Sequence, residues 1–184
     1  RDGSVQMNPG YDNTDAIEAV GPIDPDVPVL HVVNAETDAS IALLANFALH
    51  YVGGAPGDIA SADYFGMFAR EAAKWLGGDP VVALANGFCG DINNVDVTRP
   101  PSRTGPWEHA EHVARLLAMN VLALVEQMDY SQDGKLRAAR ETLTIPLRPI
   151  TDEMRAEARK TLGDRSPQHP ADGYSREEVY AREL

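Results

Sequence analysis

His50 ends the apolar run IALLANFALH, Ile41 to His50, and opens into the glycine-rich stretch YVGGAPGD. A histidine there can offer a ring nitrogen to a metal while the strand fixes its backbone. A hydrogen-bonded structural histidine fits the same setting. A second stretch, NGFCGDIN from Asn86 to Asn93, follows another short apolar run. Its glycines allow backbone conformations closed to other residues and close approach of a ligand. Asp91 can accept backbone hydrogen bonds and freeze such a turn, and Asn86, Asn93 and Asn94 can hold polar substrate atoms. A tight turn stabilised by Asx bonds explains the same residues without a ligand.

Other reactive side chains carry weaker signals. Cys89 has no His or Lys within ten residues, and a nucleophilic thiol needs a base or a positive environment. It reads as a buried small residue. His109 and His112 are three apart on a helical pattern flanked by Glu108 and Glu111, which suits a solvated charged turn. His31 alternates within a strand, and His169 lies in a polar loop.

The elements that would position these residues follow from hydrophobic period and turn chemistry. Residues 1–28 are rich in Asp, Asn, Gly and Pro and form an irregular lead-in. VLHVV and IALLANFALH, separated by the polar AETDAS, predict a hairpin whose second strand is central and covered on both sides. The apolar spacing of Tyr64, Phe65, Phe68, Ala72, Trp75 and Leu76 predicts a helix capped by Ser61 and ended by Gly77-Gly78. PVVALA, Pro80 to Ala85, is the next strand. A helix is expected over Trp107 to Met128, with Pro106 at its start and Val113, Leu116, Leu117, Val121, Leu124 and Met128 on one face. Leu136 to Leu147 alternates as an outer strand would. Thr151 to Leu162 reads as a helix capped by Thr151, and Ser175 to Leu184 begins another. The fold class expected is α/β, a mixed β-sheet flanked by helices on both faces. Residues 29–184 would be the α/β core that follows the lead-in within the single stretch 1–184. His50 and the NGFCGD turn fall at strand carboxyl ends, where such folds bind ligands.

Composition narrows the partners. The formal charge of −12 argues against nucleic acid, which requires a basic stripe, and against an anionic membrane surface. The longest apolar run, Ile41 to Ala45, is far short of a membrane span. One cysteine permits neither an intrachain disulfide nor a cysteine-based zinc site. The chain begins at Arg1 without Met or an apolar leader and stops within a helical pattern, so both ends read as cut. Composition neither requires nor excludes export; the location expected for the whole protein is secreted or periplasmic.

Three segments together resemble the neutral/alkaline (non-lysosomal) ceramidase family. NFALHYVGGAPGDIASADYFG resembles that family's strand-end histidine followed by a Ser-Gly-Asp-x-x-Gly-type element, here SADYFG from Ser61 to Gly66. NGFCGDINN resembles its asparagine-x-glycine-aspartate turn, and NPG followed by GPIDPDVPVLHVV resembles the segment before the strand. The similarity covers roughly residues 1–96. It implies that His50 is one ligand of a catalytic zinc, and that a second histidine, a glutamate and a tyrosine come from the remainder of the polypeptide. The implied activity is hydrolysis of an amide or related bond in a lipid-like or other small substrate. Asn93 or the turn's backbone would bind the developing oxyanion, with Asp91 in the catalytic turn and Gly90 and Asn94 lining the substrate.

This sequence departs from the family at one position. Ceramidases continue after Gly-Asp with valine and then a serine implicated in amide cleavage; here Ile92 and Asn93 follow. An amide side chain has no proton to lose as a nucleophile. The resemblance therefore supports scaffold and metal more than ceramide as substrate. A non-catalytic relative that binds carbohydrate or glycolipid, and a structural domain of a surface protein, remain as alternatives.

Overall fold

The computed structural model describes every residue except 1–4, 6–8, 12, 58, 91, 98–99, 101–104, 164–174 and 183–184. Asp91 and His169 therefore lie outside the described residues. The chain divides into two compact units, Arg1–Gly134 and Lys135–Leu184.

The first unit contains β1 (Val29–Val33), β2 (Ser40–Phe47), α1 (Asp63–Leu76), β3 (Val81–Asn86) and α2 (Glu108–Val125). The described part of residues 1–28 contains no helix or strand. The three strands form one mixed sheet in the order β1-β2-β3, so the class is α/β. The expected hairpin is present: β1 pairs antiparallel with β2, from Val29 opposite Ala45 to Val33 opposite Ser40, with a register shift between Val32 and Val33. Asn34 closes it, its Oδ1 accepting from the amides of Glu36 and Thr37 at 2.9 and 3.0 Å. β2 is central and runs parallel to β3, from Ala42 opposite Val81 to Phe47 opposite Asn86. A parallel neighbour requires a crossover, and α1 supplies it.

Alternation along the strands decides which residues are covered. Leu43 and Ala45 of β2 are buried with Tyr64, Phe68 and Ala72 of α1 and with Leu117 and Val121 of α2. On α2 the buried stripe is rich in alanine, Ala110, Ala114 and Ala118. Such small residues at four-residue spacing let helices approach closely. The expected stripe differs in detail: Leu116 and Leu124 are exposed, as is Trp75 of α1. Among the described residues of this unit, helices pack on one face of the sheet. The other face presents Leu30, Val32, Leu44 and Val81, all exposed.

The second unit contains α3 (Asp152–Leu162) and α4 (Arg176–Arg182). Thr151 caps α3 as expected, its side chain accepting from Met154 N at 3.2 Å. At α4, Ser175 and Glu178 form a reciprocal capping box: Glu178 N donates to Ser175 Oγ at 3.2 Å and Ser175 N to Glu178 Oε2 at 2.8 Å. The outer strand expected over Leu136 to Leu147 does not form. These residues are neither helix nor strand, and Leu143, Ile145 and Leu147 are exposed. Their alternation is real, but a strand exists only where a partner takes its backbone groups. No helix among the described residues is long and apolar enough to cross a membrane.

Candidate functional site

The parallel strands β2 and β3 end side by side, and the loops leaving them form the candidate site. Gly87 N donates to Phe47 O at 2.9 Å, extending the ladder one residue past β3. Gly87 is pressed against β2's exit: a Cβ there would lie 2.9 Å from Asn46 Oδ1 and 3.1 Å from Ala48 Cα. Glycine is required at this position by close approach. Gly90 is different, since a Cβ on it would meet nothing within 4 Å. Of the two glycines in NGFCGD, the first serves packing and the second lies open and exposed.

His50 is half-buried, and its ring packs on Tyr51 at a centroid distance of 4.3 Å. Neither ring nitrogen takes part in a hydrogen bond among the described residues. Several backbone groups on either side of it are engaged. Tyr64, fully buried, donates its hydroxyl to Leu49 O at 2.9 Å. Asn94 donates Nδ2 to Tyr51 O at 3.2 Å. The Asp63 carboxylate accepts from Val52 N at 3.0 Å and Gly53 N at 2.7 Å. Trp107 N donates to Gly54 O at 3.2 Å. Residues from α1, from the start of α2 and from the loop after β3 thus hold three peptide carbonyls, of Leu49, Tyr51 and Gly54, and two amides, of Val52 and Gly53.

Burial pushes the Tyr64 phenol well above its ordinary range, with the nearby Cys89 and Asp63 adding to the shift. It stays a neutral donor at physiological pH. Cys89 is a free thiol and half-buried, less covered than the buried residue expected. His109, half-buried on α2, also joins the site: its Nε2 lies 3.1 Å from Asn94 O. A carbonyl oxygen only accepts, so Nε2 carries the proton and, in the neutral ring, Nδ1 carries the lone pair.

The site residues singled out from sequence are placed unevenly. His50 and Asn94 are brought together through Tyr51. Asn94 spends its amide on that carbonyl, which makes it a brace of the His50 loop. Asn93 is exposed, its Oδ1 accepting from Asn94 N at 2.8 Å. Gly90 is on the same loop. Four participants were missed as such: Asp63, Tyr64, Trp107 and His109. Tyr64 had a usable signal, because a tyrosine on a buried helix face must find a partner for its hydroxyl. Asp63 had one too, in the Ser-x-Asp spacing ahead of a helix; Ser61 Oγ accepts from Asp63 N at 2.9 Å and does not cap the helix as expected.

Among the described residues no group of three or more His, Cys, Asp or Glu is arranged to hold a metal ion. His50 fits the role of one ligand, and the rest of a ligand set is not furnished by these residues. Comparison with protein-family models, with curated proteins and with solved structures finds no match to this chain.

Proposed function

We propose that this chain is part of a zinc-dependent hydrolase, similar to the neutral ceramidases, that cleaves an amide or related bond in a lipid-like or other small substrate. One observation carries the reading. His50 lies three residues past the carboxyl end of the central strand β2, with both ring nitrogens uncommitted, on a loop whose backbone is held by Tyr64, Asp63, Asn94 and Trp107. A structural histidine spends its nitrogens on the fold; this one leaves them available while its loop is fixed, as a preorganised ligand requires. The carboxyl-end position between parallel strands is where α/β sheets place ligands. Zinc supplies Lewis acidity to such a site. The further ligands come from outside the described residues, from the remainder of the polypeptide.

In this reading Asn93, exposed at the rim, offers its amide to polar substrate atoms, with Gly90 and Asn94 on the same loop and Asp91 between them in sequence. Because Asn93 stands where the ceramidases place a serine, ceramide turnover is expected to be weak. Losing such a group costs roughly 10²–10⁴-fold in rate. The test uses the full-length polypeptide. Elemental analysis should find about one zinc per chain in the wild type and a marked loss in His50→Ala. Equal zinc in both removes His50 from the site. Efficient ceramide turnover by the zinc-loaded wild type, unchanged in Asn93→Ser, shows that this position does not govern the chemistry.

A further inference from the structure

Among the described residues, three other than glycine have left-handed backbones: Asp38 (φ +56), Asp63 (φ +52) and Trp107 (φ +66). Asp38 sits in the β1–β2 turn, where such a conformation is ordinary. The other two lie at the beginnings of α1 and α2. They share a second property: each bonds to the loop that follows His50. Trp107 N reaches Gly54 O, and the Asp63 carboxylate reaches Val52 N and Gly53 N. Left-handed φ is unfavourable for side-chain-bearing residues and persists where surrounding structure holds it.

The bland account of Asp63 is a local side-chain bond to the next amide, since its Oδ1 also accepts from Tyr64 N at 2.6 Å. Such a local bond needs one oxygen. The second oxygen, Oδ2, accepts from Gly53 N at 2.7 Å, ten residues back along the chain. Oδ1 is itself shared with Val52 N. Gly53 and Gly54 have φ of +78 and +86, so the loop makes a concave row of amides, the arrangement that binds anions. Here the anion is a side chain of the protein.

We propose that Asp63 is the positioning residue of the His50 site: its carboxylate occupies the amide nest of Val52 and Gly53 and so fixes the path of the loop that carries His50 away from β2. This rests on the reading of His50 as a ligand, and deepens it. Asp63 acts through backbone amides and touches neither metal nor substrate. Groups that orient a ligand in this way are worth about 10–100-fold in metal affinity.

The experiment compares wild type, Asp63→Asn, Asp63→Gly and His50→Ala. Asparagine and glycine both tolerate the left-handed backbone, so neither adds backbone strain. Amide hydrogen exchange is followed at Val52 and Gly53, with Ala72 and Ala73 in α1 as internal reference. Zinc affinity is measured on the full-length polypeptide. The expected result is faster exchange at Val52 and Gly53 by about tenfold or more in both Asp63 variants. The reference amides hold their rates, and zinc affinity falls by about 10–100-fold. Unchanged exchange at the two loop amides overturns the proposal. So does unchanged zinc affinity in the Asp63 variants when His50→Ala abolishes binding. If wild type and His50→Ala bind zinc equally, the ligand reading fails by itself, and the exchange rates alone decide whether Asp63 holds the loop.

Discussion

At the scale of residues, the site separates groups that serve the fold from groups left over for chemistry. The two glycines of NGFCGD show this directly. Gly87→Ala drives a methyl group against Asn46 Oδ1 and Ala48, where the separations would be 2.9 and 3.1 Å, and overpacking of that kind costs roughly 1–3 kcal/mol. Gly90→Ala enters open space and should change stability by less than about 0.5 kcal/mol. Urea denaturation of the two variants checks the contrast, and similar midpoints would contradict the close approach. His31 makes a second residue-level case. Its ring bridges Tyr130 OH at 2.7 Å and Ser40 Oγ at 3.1 Å. Burial holds its pKa below the 6.5 of an exposed histidine. The unfolded chain therefore takes up this proton at higher pH than the folded one. The associated stability is present above pH 6.5 and is lost as the pH falls from there toward the folded value. Stability measured between pH 7.5 and 5 should decline on this account, and His31→Gln should flatten the decline.

At the scale of elements, what the sequence disclosed depended on whether a pattern was local. The hairpin was legible because two apolar runs flank a polar turn, and Asn34 does fix that turn. Thr151 was legible as a cap because its hydroxyl meets an amide three residues on. Thr151→Ala should therefore remove about 1 kcal/mol from α3, visible as a loss of helical circular dichroism at temperatures where the wild type keeps it. Non-local partners were not legible. Nothing in the spacing of Leu143, Ile145 and Leu147 indicates whether a neighbouring strand exists, and the described residues supply none. The burial of Ala110, Ala114 and Ala118 was equally hidden, because alanine carries little hydrophobic signal while the larger Leu116 and Leu124 carry much. The site suffered in the same way. His50 and the Asn86–Asn94 turn stood out by residue type, whereas Asp63 and Trp107 matter through bonds to backbone groups ten or more residues distant in the chain.

At the scale of the whole molecule, the division into Arg1–Gly134 and Lys135–Leu184 meets an uneven distribution of charge and exposure. The stretch that opens the second unit carries Lys135, Arg137, Arg140 and Arg148 against Glu141 alone, within a chain of formal charge −12. It has no regular structure, and Leu136 and Leu147 are 98 % and 94 % exposed. A protease needs an extended, accessible backbone, and helices withhold theirs until they open. Trypsin should therefore cut first at Lys135, Arg137 and Arg140, and cleavage at Lys74 in α1 and Arg115 in α2 should lag by an order of magnitude or more. The large product, close to residues 1–135, retains the sheet, α1 and α2, together with the loops around His50. It also retains the sheet face of Leu30, Val32, Leu44 and Val81, whose exposure gives solvent a contiguous apolar surface of the sort that favours association. The first product of proteolysis should consequently keep its helical signal yet bind a hydrophobic dye and show concentration-dependent association on sizing. Early cuts inside α1 or α2, together with a monomeric product that ignores the dye, would overturn both the unit boundary and the open sheet face.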